Sequence, residues 1–100
     1  MNSRLIAQVV QGSAESIIRT LDVSKIGSSP TSPSVVVIDL GSNTDVTSTV
    51  MPSGSLAVNG NVITMKPLTS LTPGRRYRVA LSFTLNSSIL QYYWIVSCDW

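Results

Sequence analysis

Two long stretches in the second half of the chain alternate apolar and polar residues with a period of two. In the first, Tyr77, Val79, Leu81, Phe83 and Leu85 share one side, and Arg76, Arg78, Ala80, Ser82 and Thr84 share the other. That pattern predicts a strand with one face in a core and one in water. Asn86-Ser-Ser88 then predicts a turn, after which Leu90, Tyr92, Trp94, Val96 and Cys98 form an inward set. The opposite side of this last strand carries Gln91, Tyr93, Ile95, Ser97 and Asp99. Tyr93 and Ile95 are apolar groups at outward positions. They predict a surface for self-association or partner docking, on a strand read as a sheet edge.

The rest of the chain predicts shorter elements. Leu5 to Val10 is a β-branched run that reads as a first strand, or as an extended arm over residues 1–12. Glu15 to Val23 fits either two turns of amphipathic helix or a strand, and its all-β surroundings favour the strand. Ile26 to Pro33 combines glycine, serines and two prolines, which predicts a surface connection without a regular ladder. Val35-Val-Val-Ile-Asp-Leu40 is continuously apolar but for Asp39, so it predicts a strand covered on both faces or one whose outward face meets a partner. Asp45 to Met51 alternates threonine and valine and predicts a short edge strand. Asn59-Gly60 between apolar flanks predicts a hairpin, because both residue types tolerate positive φ.

About seven strands at short intervals, with no helix long enough to cross over, predict an all-β antiparallel sandwich. At 100 residues the chain is expected to form one domain over residues 1–100. Its single cysteine, Cys98, precludes an intramolecular disulfide, so packing alone must join the sheets. Cys98 falls on the inward face and reads as a small buried hydrophobe. The apolar run at the start is too short for a signal peptide, and no stretch is long enough to span a membrane. Synthesis in the cytoplasm is the resulting expectation.

Charge is sparse, with seven Lys or Arg against five Asp or Glu for a formal +2. Such a balance is too weak to imply a polyanionic partner by itself, and a nucleic-acid partner is not expected. Arg75, Arg76 and Arg78, with Lys66 near in sequence, form the one basic cluster; it reads as a solvated face or a partner-facing patch. There is no histidine, which removes the commonest general base and metal ligand. Glu15, Asp22, Asp39, Asp45 and Asp99 stand apart in sequence and form no evident catalytic dyad. Oxygen side chains alternate from Asp39 to Asp45 as in a calcium loop, yet Val50 stands where an EF-hand needs its final glutamate. The segment reads as a polar connection. No enzyme activity, cofactor or metal is expected. Trp100 can fray or dock on a neighbour, and Asn86-Ser-Ser88, although a glycosylation sequon, reads as a hairpin tip.

Leu71-Thr-Pro-Gly-Arg-Arg-Tyr-Arg-Val79 resembles the turn and following strand of fibronectin type III and other immunoglobulin-like modules. In those modules a tyrosine at the corner hydrogen-bonds to upstream backbone. Leu21-Asp-Val23, Val35-Val-Val37, Asp45-Val-Thr47, Asn59-Gly60 and the corner, in that order, are similar to the small sandwich proteins of tailed bacteriophages and prophages. The resemblance implies an immunoglobulin-like sandwich acting without turnover as a structural or accessory virion protein in the head-to-tail or tail region. Its partners would be other virion proteins or a second copy, and it would be assembled in the host cytoplasm. The alternative is a stand-alone fibronectin-like recognition module binding a protein or glycan. The residues expected at an interface are Tyr93, Ile95, Arg76 and Arg78.

Overall fold

The computed structural model describes residues 3–25, 27, 29–51 and 56–100. Among them run eight strands and one short helix, in the order β1 (Ser3–Val10), β2 (Thr20–Asp22), β3 (Thr31–Asp39), β4 (Thr44–Asp45), α1 (Thr47–Val50), β5 (Ala57–Asn59), β6 (Val62–Thr64), β7 (Arg76–Leu85) and β8 (Ser88–Ser97). They form a five-stranded sheet ordered β1-β8-β7-β3-β4 and a three-stranded sheet ordered β2-β6-β5. All neighbours are antiparallel except β1, which runs parallel to β8. The fold is an all-β sandwich.

The core lies between the sheets and follows the alternation of β7 and β8. Tyr77, Val79, Leu81, Phe83 and Leu85 are buried, as are Trp94, Val96 and Cys98, while Leu90 and Tyr92 pack half-buried against them. Phe83 and Tyr92 stack with ring centroids 5.9 Å apart. Ile63, Met65 and Leu68 meet this layer from the other side together with Val23, Val50 and Met51. Burying each such side chain is worth about 1.5–3 kcal/mol, the contribution that here substitutes for a disulfide.

The corner before β7 is held as the sequence predicts. The Thr72 N–H donates to the Tyr77 hydroxyl at 2.9 Å, and the phenol ring is buried. Gly74, with φ at 86°, makes the tight turn, and its N–H reaches the Cys98 carbonyl at 2.7 Å. The corner is therefore fastened to the end of β8.

Several expectations are corrected. β8 is not an edge, because β1 pairs along its free side from Ser3↔Gln91 to Val10↔Ser97. Asp45 to Met51 is not a strand beyond Asp45. The Asp45 carboxylate accepts from both the Thr47 N–H at 2.9 Å and the Thr47 hydroxyl at 2.6 Å, which bends the chain into α1 and drops Val50 into the core. The Thr47 hydroxyl oxygen in turn accepts the Val37 N–H at 2.8 Å, so α1 docks on β3. β3 begins inside the proline-rich connection: Thr31 pairs with Thr84, and a bulge before Ser34 accommodates Pro33. Pro30 is buried; Ile26 and Ser28 lie outside the described residues. Glu15 to Val23 is extended, but its ladder is limited to Thr20–Asp22 plus a bridge between Ile17 and Leu68. The β5–β6 hairpin exists, yet Asn59 still pairs with Val62, so the two turn residues are Gly60 and Asn61, with φ positive at Gly60. At the β7–β8 hairpin Asn86 and Ser87 both adopt positive φ, 50° and 67°, as a tight turn of primed type requires.

Candidate interaction face

The outer surface of the five-stranded sheet gathers every residue expected at an interface. Arg78 pairs with Ile95, Ala80 with Tyr93 and Arg76 with Ser97 across β7 and β8. All four candidates therefore share one face. Arg76 is exposed, whereas Arg78, Tyr93 and Ile95 are half-buried by their neighbours. The Arg78 guanidinium carbon lies 4.6 Å from the centre of the Tyr93 ring. A cation over the face of a phenol is attracted by the ring quadrupole and fixes both side chains.

The flanking strands enlarge this face beyond what the alternation of β7 and β8 shows. On β3, Val36 pairs with Ala80 and Ile38 with Arg78, which turns both outward. On β1, Leu5 pairs with Tyr93, Gln8 with Ile95 and Val10 with Ser97. Ile6, Ala7 and Val9 take the core side, a switch allowed by the register shift between Leu5 and Ala7. Leu5, Val10, Val36 and Ile89 are exposed by 47%, 49%, 42% and 59%, so large apolar side chains stand in solvent on one sheet face. Isolated exposed leucines are ordinary; here four large apolar side chains share one sheet face with a stacked Tyr and Arg, with Gln8 between Leu5 and Val10 and Gln91 between Tyr93 and Ile89.

Sequence reasoning found the β7 and β8 members and missed Leu5 and Val10. Their place depends on the parallel pairing of the first strand with the last, which no local pattern reveals. Val36 and Ile38 did leave a signal, since the continuous apolar run of β3 already allowed a partner on its outward side.

The predicted basic cluster assembles only in part, with Arg76 and Arg78 on one face of β7. Arg75 forms an ion pair with Asp39 at 3.5 Å, away from the outer face. Lys66 lines a cleft with Arg19, Met51, Met65, Val79 and Trp94 that has no room for a water molecule. Only Arg76 and Arg78 remain on the outer surface. Arg19 is lowered from its ordinary value by burial, an effect partly offset by Glu15. Its guanidinium donates to the Gln11 side-chain oxygen at 3.0 Å, while the buried Gln11 amide donates to the carbonyls of Leu68 at 2.6 Å and Glu15 at 3.2 Å. This network ties the segment after β1 to the smaller sheet.

The other carboxylates are engaged locally. Glu15 accepts the Gly12 N–H, Asp22 the Ser24 N–H, and Asp39 the Gly41 N–H. Hydrogen bonds from Ser24 hold the Asp22 carboxyl below the usual carboxylate range, and those from the Thr47 hydroxyl and N–H do the same for Asp45. Asp39 turns inward to Arg75 while Asp45 accepts from Thr47, so each carboxylate is engaged with a different partner. Among the described residues no three Cys, Asp or Glu side chains gather into a metal-binding group. Among the same residues no helix is long and apolar enough to cross a membrane.

Trp100 docks. Its carbonyl accepts the Ser13 N–H at 2.7 Å, and its indole lies so close over Gly12 that a Cβ there would collide with it. Cys98 is buried beneath, with its thiol 3.5 Å from the Trp100 carbonyl. No protein-family model matches the chain, and a search of curated proteins found no similar sequence.

Proposed function

We propose that this chain is an immunoglobulin-like module that works without turnover, by protein contacts through the outer face of its five-stranded sheet. The observation that carries the reading is that Leu5, Val10, Val36 and Ile89 stand exposed on the same sheet face as the stacked Arg78–Tyr93 pair. A fold needs no apolar groups there, since water accepts polar residues at no cost in packing. Tyr and Arg are also the residue types that most often dominate binding energy.

The immunoglobulin-like assignment draws support from strand order. One sheet places β6 between β2 and β5, and the other places β7 between β3 and β8, which is how such domains divide their strands. The bonded Tyr77 corner supports it too. Two features depart from the antibody pattern: there is no bridge between sheets, and the core tryptophan, Trp94, sits on the last strand.

The setting we propose is a tailed phage or prophage particle, where the chain is a structural or accessory component of the head-to-tail or tail region. That setting rests on the order of motifs from Leu21-Asp-Val23 to the Tyr77 corner. A module binding through its loops is less favoured, because four of the eight large apolar side chains exposed among the described residues share this one sheet face, while Ile18, Leu40, Val58 and Trp100 stand on four separate segments. The test is gradient sedimentation of an induced lysate followed by immunoblotting. Co-sedimentation with particles is expected; recovery only among free proteins would overturn the virion assignment.

A further inference from the structure

We propose that the outer face pairs two copies of this chain about a two-fold axis that runs parallel to β7 and β8 and lies between them. The inference rests on the reading of this face as the working surface and names its partner. Strand register carries it. One row across the sheet reads Leu5, Tyr93, Ala80, Val36, and the next reads Gln8, Ile95, Arg78, Ile38. In the third row Val10, Ser97 and Arg76 follow.

A two-fold axis in the plane of contact, midway between β8 and β7, lays each row against its own reversed copy. Tyr93 of one copy then stands over Ala80 of the other, whose small side chain is already covered by its own neighbours. Leu5 stands over Val36, and each contact occurs twice. Arg78 faces Ile95 and Arg76 faces Ser97 of the other copy, so no arginine lies directly opposite its own counterpart. The two Arg78 side chains are displaced sideways by one strand spacing, about 4.8 Å, across sheets about 10 Å apart.

The available area fits a pair of copies. The axis sets β1, β8, β7 and β3 of one copy over β3, β7, β8 and β1 of the other and leaves the two-residue β4 unopposed. Four strands about 4.8 Å apart and some eight residues long cover on the order of 500 Å², so two such faces remove about 1,000 Å², the least that a specific interface needs. A foreign acidic partner would find little to match, because among the described side chains only Arg76 and Arg78 supply positive charge on the face and Arg78 is already held over Tyr93. An apolar, self-complementary surface suits a second copy better.

Sedimentation velocity of the full chain over a dilution series tests this with Leu5→Lys, Val36→Glu and the double variant. The wild type is expected to approach twice the 10.7 kDa of one chain as concentration rises. Each single variant should weaken pairing by about tenfold or more, the effect of some 1.4 kcal/mol. The double variant should recover most of it, because the new ammonium of each copy meets the new carboxylate of the other. Within one chain those positions are three strands apart and cannot compensate each other. If a charged variant fails to fold by circular dichroism, Leu5→Ser or Val36→Ser replaces it with the same expected weakening. A wild type that stays monomeric at every concentration overturns the pairing while leaving the docking reading to its own test on particles. A dimer that the single variants do not weaken, or that the double variant does not restore, overturns this two-fold geometry.

Discussion

The two faces of the β7–β8 pair are built from the same strands and differ in what their apolar residues accomplish. On the inner face Val79, Leu81, Phe83, Trp94 and Val96 are almost entirely removed from water. On the outer face Tyr93 and Ile95 are only half-buried, and their neighbours Leu5 and Val36 stay largely exposed. Stability resides in the first set. The second holds apolar area that folding leaves in contact with water, and that area is free to drive association. The contrast teaches that alternation assigns faces, whereas purpose must be read from what each face leaves unburied.

The largest expected effect strikes the inner face. Phe83→Ala should cost about 3–5 kcal/mol, a large share of the roughly 5–15 kcal/mol that holds a domain of this size. Chemical denaturation followed by tryptophan fluorescence measures it, and a loss comparable to that of an outer-face substitution would erase the distinction. Tyr77→Phe keeps the buried ring and removes only the hydroxyl that accepts the Thr72 N–H. It should cost about 1 kcal/mol, the usual worth of one such bond. No loss in the same denaturation assay would reduce the corner to ring packing.

The smallest effect concerns the turn that ends β4. Asp45 is held below the ordinary carboxylate range by the Thr47 hydroxyl and N–H. A carboxyl depressed in the folded state stabilises above its unfolded value, near ~3.9, and loses that contribution as pH falls through the lower folded value. Asp45→Asn should therefore be less stable than the wild type at neutral pH, and the gap should close as pH drops below about 4. Thermal melts across that range measure the gap, and a constant difference would assign the turn to neutral hydrogen bonding.

The two sheets differ in how far sequence reveals them. β7 and β8 each carry ten residues of period-two pattern, enough to fix their faces and the hairpin between them. The smaller sheet is built from strands of three residues, too short for alternation to register. At the end of the larger sheet, after β4, a single side chain outweighs propensity: Thr47, Thr49 and Val50 are β-branched, but the Asp45 carboxylate captures Thr47 and starts a helical turn. The Gly60-Asn61 turn was displaced by one residue from the Asn-Gly expectation for a related reason, because only Gly60 needs positive φ. On the candidate face, Arg76, Arg78, Tyr93 and Ile95 were legible as alternating positions. Leu5 and Val10 were not, since their contribution requires β1 to cross the whole length of the chain and lie parallel to β8.

The division between a face that folds and a face that docks is tested most directly by the light-scattering mass of the chain carrying Tyr93→Ser and Ile95→Ser together. At a concentration where the wild type self-associates, the double variant should fall to the mass of one chain with an unchanged far-ultraviolet spectrum. A mass equal to that of the wild type, or a spectrum showing that the variant has unfolded, would contradict the division.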